Sequence, residues 1–274
     1  MGSGGLNRKP ARAAVLLGVL VFLASACVAT PHVTYDGSAD LQPQVVVLTP
    51  NGYDSYTFSS GPGYAQFDAR PDNRDSNLRQ VFWPSGGPEV VDQQSCATWS
   101  DATVANTQQG AVLRLSTADG HVRAITVTKN ITYYSVWVFN VHVWDTASPQ
   151  PFTLVGQVNL GSEFFANGQV VPLPWHLCAR VIGSTVDLKA WHDPEGEPAW
   201  GDSMRSGSVA LPDGWVYPGH AGWYIAHLVP GGFARFEDLR TWQYTFEPVE
   251  QTSTGGPPAQ RSSSPGQLST VSLG

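Results

Sequence analysis

The chain has 274 residues, 42% of them hydrophobic, with ten tryptophans, only three lysines and a formal net charge of −7. Phosphate neutralisation needs clustered Lys and Arg, and the arginines here (Arg114, Arg123, Arg180, Arg235, Arg240) are spread through strand-like segments, so no nucleic-acid partner is expected. The acidity reads most simply as a solubility device.

Taken in chain order, Arg8, Lys9 and Arg12 precede an unbroken apolar run over 13–23. That run suits a signal-peptide core, whereas a membrane span needs roughly 20 apolar residues. Ala24-Ser25-Ala26 has the small-x-small pattern of a signal-peptidase site. Cys27 directly after it makes the same stretch resemble a bacterial lipobox, although Ala24 stands where a larger aliphatic residue is usual. Both readings export the protein with 1–26 as signal peptide, either secreted or held to a membrane by lipid on Cys27; an uncleaved anchor is a third reading, since the uncharged run extends to Pro31. Loss of 1–26 leaves 22 acidic against 12 basic side chains.

Residues 27–42 carry little periodicity and read as a tether. At the other end, 251–274 is dominated by Ser, Thr, Gly, Pro and Gln with Arg261 as its one charge, a composition expected to stay disordered. Between them, 43–250 is a reasonable size for one all-β domain, with no repeat or linker to split it. Strand signals fall at 44–48, 56–59, 80–83, 111–116, 121–128, 133–144, 152–160, 175–182, 185–191, 221–228 and 233–242, all rich in β-branched and aromatic residues. Ala118-Asp119-Gly120 and Gly183-Ser184 read as hairpin turns, and Asp193-Pro194-Glu195-Gly196 as a sharp strand end. Many short strands with regular turns imply a sandwich, barrel or jelly roll. Cys96 and Cys178 remain as an even pair in an exported chain, so a disulfide between them is predicted; His176, two residues from Cys178, offers little for the rival reading as a nucleophile.

Alternation assigns faces. Trp137, Phe139, Val141 and Val143 should pack inward, leaving Asn140, His142 and Trp144 on the other side; Val186, Leu188 and Ala190 should pack inward, leaving Asp187, Lys189 and Trp191. If the two strands lie in one sheet, these six polar and aromatic residues form one ligand-binding surface. Trp83, Trp99, Trp175, Trp215 and Trp223 are expected in the core, and Trp144, Trp191 and Trp200 nearer the surface.

Several stretches resemble the concanavalin A-like jelly-roll superfamily, most of all LamG-like domains of exported actinobacterial proteins. They are 108–114 (Gln-Gln-Gly-Ala-Val-Leu-Arg), 173–181 (Leu-Pro-Trp-His-Leu-Cys-Ala-Arg-Val), 191–200, 222–228 (Gly-Trp-Tyr-Ile-Ala-His-Leu) and 234–239 (Ala-Arg-Phe-Glu-Asp-Leu), and the likeness covers roughly residues 90 to 242. It implies a sandwich of two antiparallel sheets and leaves function open among lectins, glycan hydrolases, protein-binding modules and structural domains.

Glucanases of that superfamily carry Glu-x-Asp-x-Glu on one strand face. The comparable string here, Asp193-Pro194-Glu195-Gly196-Glu197-Pro198, holds two prolines and a glycine and so reads as a turn. No nucleophile elbow, zinc helix or phosphate loop is present, and Asp72, Asp75 and Asn77, which could suit calcium, are interleaved with Arg70, Arg74 and Arg79. No metal or cofactor is therefore expected, nor any catalytic residue. The expected function is a non-catalytic binding domain for a glycan or envelope component; the alternatives are a hydrolase using Glu163 or Glu237, and a structural envelope protein.

Overall fold

Strands with one apolar face must bury it, and here two antiparallel sheets bury theirs against each other. The computed structural model describes residues 27–248 apart from 51, 76, 105–106, 132–136 and 195. Contacts divide the chain into two units: Ala29–Thr245 carries the sandwich, and Met1–Val28 with Phe246–Gly274 falls almost wholly outside the described residues. The expected signal peptide and tail lie outside them too, as do the side chains of Cys27 and Trp137.

One sheet has the order β15 (Ser206–Ala210), β14 (Thr185–His192), β13 (Trp175–Ile182), β6 (Gln93–Ala102), β17 (Phe233–Pro248), β4 (Tyr64–Ala69) and β3 (Tyr56–Gly61), with β1 (Cys27–Tyr35) also pairing β17. The other runs β10 (Phe152–Asn159), β9 (Trp137–Asp145), β8 (Arg123–Ile131), β7 (Gln108–Ser116), β16 (His220–Ala226), β5 (Arg79–Pro84) and β2 (Pro43–Val47). A single 3-10 turn at Ala118–Gly120, a short helix α1 (Gly161–Phe164) and a small hairpin of β11 (Phe165–Ala166) and β12 (Gln169–Val170) complete the described elements. The chain is an all-β sandwich of two antiparallel sheets.

Phe139, Val141 and Val143 on β9 and Val186, Leu188 and Ala190 on β14 face the shared core, as alternation predicts. Trp99, Trp175, Phe82, Phe236 and Trp223 fill its centre. Where the outer strands of the two sheets approach, a Cβ on Gly156 of β10 would meet Val209 at 2.7 Å and one on Gly207 of β15 would meet Val158 at 2.5 Å, so each valine needs a glycine opposite it.

Polar rivets cross the core as well. Ser95 on β6 donates to the Gly222 carbonyl on β16, and the Trp223 indole N–H donates to the Cys96 carbonyl at 2.9 Å. The largest rivet is Arg114 on β7, a fully buried guanidinium at a register shift with φ of 48°. Its Nε donates to the Val91 carbonyl at 2.8 Å, and its two terminal nitrogens donate to the carbonyls of Trp215 and Gly183. Its backbone N–H donates to Gln93 Oε1 at 3.0 Å, while Gln93 Nε2 donates to the carbonyls of Val90 and Gly219. Gly219 lies so close to the Arg114 backbone that a Cβ there would come within 2.4 Å of it.

Several segments depart from the sequence reading, β4 and β15 among them as strands that no expected run covers. Residues 27–42, expected as a tether, enter the fold through β1, with His32 Nε2 2.9 Å from Thr245 Oγ1 and Thr34 Oγ1 2.8 Å from Thr241 Oγ1. A strand that pairs along β17 and stays half-exposed needs no apolar stripe to announce it. β6, central in its sheet, was not expected as a strand because it is rich in Gln, Ser and Thr; of these, Gln93 and Ser95 are buried and bonded across the sandwich, while Gln94 and Thr98 bond within their own sheet. The predicted disulfide joins Cys96 on β6 to Cys178, its direct neighbour on β13. The enclosed loop spans 82 residues, which in the chain-entropy model stabilises the fold by roughly 4 kcal/mol.

At one end of the core, Lys129 follows Ile125 and Val127 on the inward face of β8. It is only 1% exposed, with its Nζ 5.3 Å from the ring centre of Trp99 and 4.8 Å from that of Trp175. Burial holds its amine down at about 7.

Two outcomes follow. Arg114→Ala leaves the carbonyls of Val91, Trp215 and Gly183 without their donor, and should cost about 3–5 kcal/mol in urea unfolding, with Arg114→Lys recovering only part because an ammonium lacks the guanidinium fork; a loss below about 1 kcal/mol would contradict the role assigned to Arg114. For Lys129 the folded pKa lies below the unfolded value of 10.5. Its contribution is therefore lost as pH falls from about 10.5 to about 7. Lys129→Met should flatten the rise of stability with pH across that window relative to the parent; parallel curves for the two proteins would contradict it.

Candidate functional site

The outer face of the seven-stranded sheet is where Asn140, His142 and Trp144 stand. Register fixes their neighbours: Gln157 and Leu154 on β10 lie opposite Asn140 and His142, Phe152 lies opposite Trp144, and Thr128, Thr126 and Ala124 on β8 flank the same three. Across β7 and β16 the face continues through Val112 and Tyr224 to Val81 and Arg79 on β5.

Arg79 and Phe152 belong to strands five steps apart, about 24 Å on a flat sheet and beyond the combined reach of the two side chains. Yet the Arg79 guanidinium lies 5.8 Å from the centre of the Phe152 ring. The sheet therefore curls strongly, and this face is a trough whose two sides meet.

Its floor combines hydrogen-bonding and flat apolar groups. The Trp144 indole N–H donates to Thr126 Oγ1 at 2.9 Å, Gln157 Nε2 donates to Asn140 Oδ1 at 2.8 Å, and Tyr224 OH donates to Gln108 Oε1 at 3.3 Å. Thr128 Oγ1 is buried without a hydrogen bond. Phe152 covers Trp144 at 4.8 Å between ring centres and meets His142 edge-on at 5.8 Å. Burial first, and the nearby Arg79 charge second, hold the His142 imidazole down at about 4, so it is neutral at physiological pH. A neutral imidazole can both donate and accept.

Trp144 is 2% exposed and packs with Trp83, Val112 and Leu115, contrary to the expectation that it stands near the surface. The curl of the sheet explains the difference: the outer face closes over its own side chains. Phe152, 38% exposed, is the aromatic ring at the rim. Phe152, Arg79 and Tyr224 were not singled out from sequence. Pairing 152–160 as a hairpin with the preceding strand would have set Phe152 beside Trp144, but the contact with Arg79 depends on curvature that no local pattern reports.

The second half of the expected surface does not join the first. Asp187, Lys189 and Trp191 lie on β14, in the eight-stranded sheet, because the β13–β14 hairpin pairs with β6 and not with β9. Their side chains are also engaged there. Asp187 accepts from Arg180 Nε at 2.9 Å and Ser208 Oγ at 2.6 Å; Lys189 Nζ pairs with Glu197 and donates to the Pro198 carbonyl, both at 2.8 Å. Trp191 is 6% exposed, packed on the Cys96–Cys178 disulfide and stacked on His176 at 5.0 Å. Trp200 is half-buried beneath Arg180 and Lys189.

Of the two carboxylates considered for hydrolysis, Glu163 faces His192 Nδ1 at 3.0 Å and Glu237 accepts from Arg235 Nε at 2.9 Å. Asp72, in the loop weighed for calcium, receives a two-point contact from Arg70 at 2.9 and 2.8 Å.

No protein-family model matches the chain, and no curated protein sequence matches it. Among solved structures, the sandwich is similar to a protein of unknown function with a galectin-like fold from Bacillus subtilis, at a TM-score of 0.51 and 8% identity over 80% of this chain and 99% of that one. It also matches the exoplasmic/lumenal domain of VIP36 in its Ca2+/Man3GlcNAc-bound form (TM-score 0.44, 11% identity, 79% and 92% of the two chains) and the carbohydrate-binding module CBM66 from Bacillus subtilis (TM-score 0.40, 10% identity, 72% and 94%). At such identities the likeness concerns the fold alone, and the galectin-like match agrees with the two-sheet architecture described above.

Proposed function

We propose that this protein is an exported, non-catalytic glycan-binding domain whose ligand enters the trough of the seven-stranded sheet. The observation that carries the reading is the composition of that trough: Thr126, Thr128, Asn140 and Gln157 supply hydroxyl and amide groups directly beside the rings of Trp144, Phe152 and Tyr224. A sugar ring presents the matching pair of surfaces, hydroxyls at its edge and C–H groups on its face. The sides of the trough meet at the Arg79–Phe152 approach of 5.8 Å, and a half-exposed cation–π contact is worth about 0.5–1 kcal/mol, so a ligand can displace it at small cost. Asp187, Lys189 and Trp191 are not part of this site.

Export is supported by the leader-like start and by the Cys96–Cys178 bridge, which suits an oxidising compartment. On the same reading Cys27 carries the lipid that anchors the chain outside the cytoplasm.

A glycan array probed with the purified protein, followed by product analysis on each hit, should show retention without cleavage. Cleavage would favour the hydrolase reading, and neither result would favour the structural one. For a retained glycan, Phe152→Ala should weaken binding by about 1–2 kcal/mol with the fold intact, whereas Trp144→Ala should chiefly destabilise by about 3–5 kcal/mol because it empties a buried site. Unchanged affinity in a folded Phe152→Ala protein would move the site out of the trough. His142 gives a pH signature: its folded value of about 4 lies below the unfolded 6.5, so its contribution to stability is full above about pH 6.5 and declines as pH falls toward 4. His142→Gln should remove part of that acid limb in thermal melts, and an unaltered limb would contradict the buried neutral imidazole.

A further inference from the structure

The end of the core at Lys129 opens into a cleft of about 430 Å³, separate from the trough and lying at the margin between the two sheets. Its walls have two characters. Val104, Val171 and Leu173 are apolar, whereas Lys129 and Ser100 supply donors. The Ser100 hydroxyl is buried and makes no hydrogen bond. Lys129 reaches the cleft from the inward face of β8, flanked by the Trp99 and Trp175 rings. An ammonium taken out of water gains from any anion that meets it there, and the low surrounding dielectric strengthens that attraction.

We propose that this cleft binds an amphipathic monocarboxylate, its carboxylate at Lys129 and Ser100 and its apolar body against Val104, Val171 and Leu173. A carboxylate is an acceptor-only group, which fits the donors that Lys129 and Ser100 supply. One ammonium and one hydroxyl match two oxygens and a single charge better than a doubly charged phosphate. Asp101 also lines the cleft, with its Oδ1 accepting from the Ala102 N–H, and its charge disfavours a second anionic group on the ligand. The volume falls within the range of small-ligand sites, which are typically mostly apolar with a few placed polar groups. Lys129 near its own midpoint at neutral pH makes the binding titrate in an accessible range.

The test uses hexanoate and 1-hexanol, equal in carbon count and different in charge, titrated into the purified protein by calorimetry at pH 6. Hexanoate should bind saturably and at least tenfold more tightly than hexanol, and its affinity should fall as pH is raised from 7 to 9, where hexanoate stays ionised and Lys129 loses its proton. Lys129→Met should abolish the preference; replacing a buried charge by an apolar group of similar size is commonly tolerated by a fold. Ser100→Ala should weaken hexanoate several-fold, and Leu173→Trp, which fills the cleft, should block both probes. Equal binding of the two probes, no saturable binding of either, or a folded Lys129→Met protein that keeps the preference would each overturn the proposal. Should Lys129→Met not fold, the pH dependence of the parent together with Ser100→Ala and Leu173→Trp decides. None of these readouts depends on glycan binding in the trough.

Discussion

The buried guanidinium of Arg114 is the constraint around which one end of the sandwich is organised. A charged group held away from water is tolerated only when its donors are satisfied, and here they meet carbonyls from three separate connections, at Val91, Gly183 and Trp215. Gln93 completes the node from the opposite sheet by accepting the Arg114 backbone N–H, so the two sheets are fixed in relative position by polar groups as well as by the apolar core. The demand spreads outward. Gly219 must remain without a side chain, and the segment that carries Trp215 is held where its ring meets Arg123 at 4.8 Å. Packing alone would allow the sheets to slide; directional bonds do not.

Curvature has the corresponding influence on the other face. A sheet that twists and coils brings distant strands together on its concave side, which is how Arg79 reaches Phe152. The outer face of the seven-stranded sheet thereby acquires a second apolar cluster, and groups that alternation would assign to solvent are buried. That burial accounts for the neutral state of His142 and for the raised pKa of Tyr224, whose phenol is wholly enclosed there.

Much of the architecture was legible in sequence because local alternation is enough to identify strands such as β8, β9, β13 and β14 and their inward faces. β6 was not, because its burial is supported by side-chain bonds to another sheet, and Gln and Ser look alike whether they face water or a carbonyl. Half of the candidate site, Asn140, His142 and Trp144, was visible as one strand face. Its union with Asp187, Lys189 and Trp191 depended on sheet membership, and strand partners far apart in sequence leave no periodic mark. Trp144 shows the same limit at a single residue: its side was readable, but its depth depended on how far the sheet curls.

The reciprocal contacts of Gly156 with Val209 and of Gly207 with Val158 carry a consequence for how such a chain can diverge. A methyl group added at either glycine has no room unless the facing valine shrinks, and a branched side chain is too stiff at χ1 to swing aside. The two positions of each pair are thus one unit of variation. Among relatives that keep this approach of the outer strands, alanine at 156 should come with a smaller residue at 209, and alanine at 207 with a smaller residue at 158. A relative that enlarges one side alone must separate the strands, and a cleft would then open along that side of the sandwich.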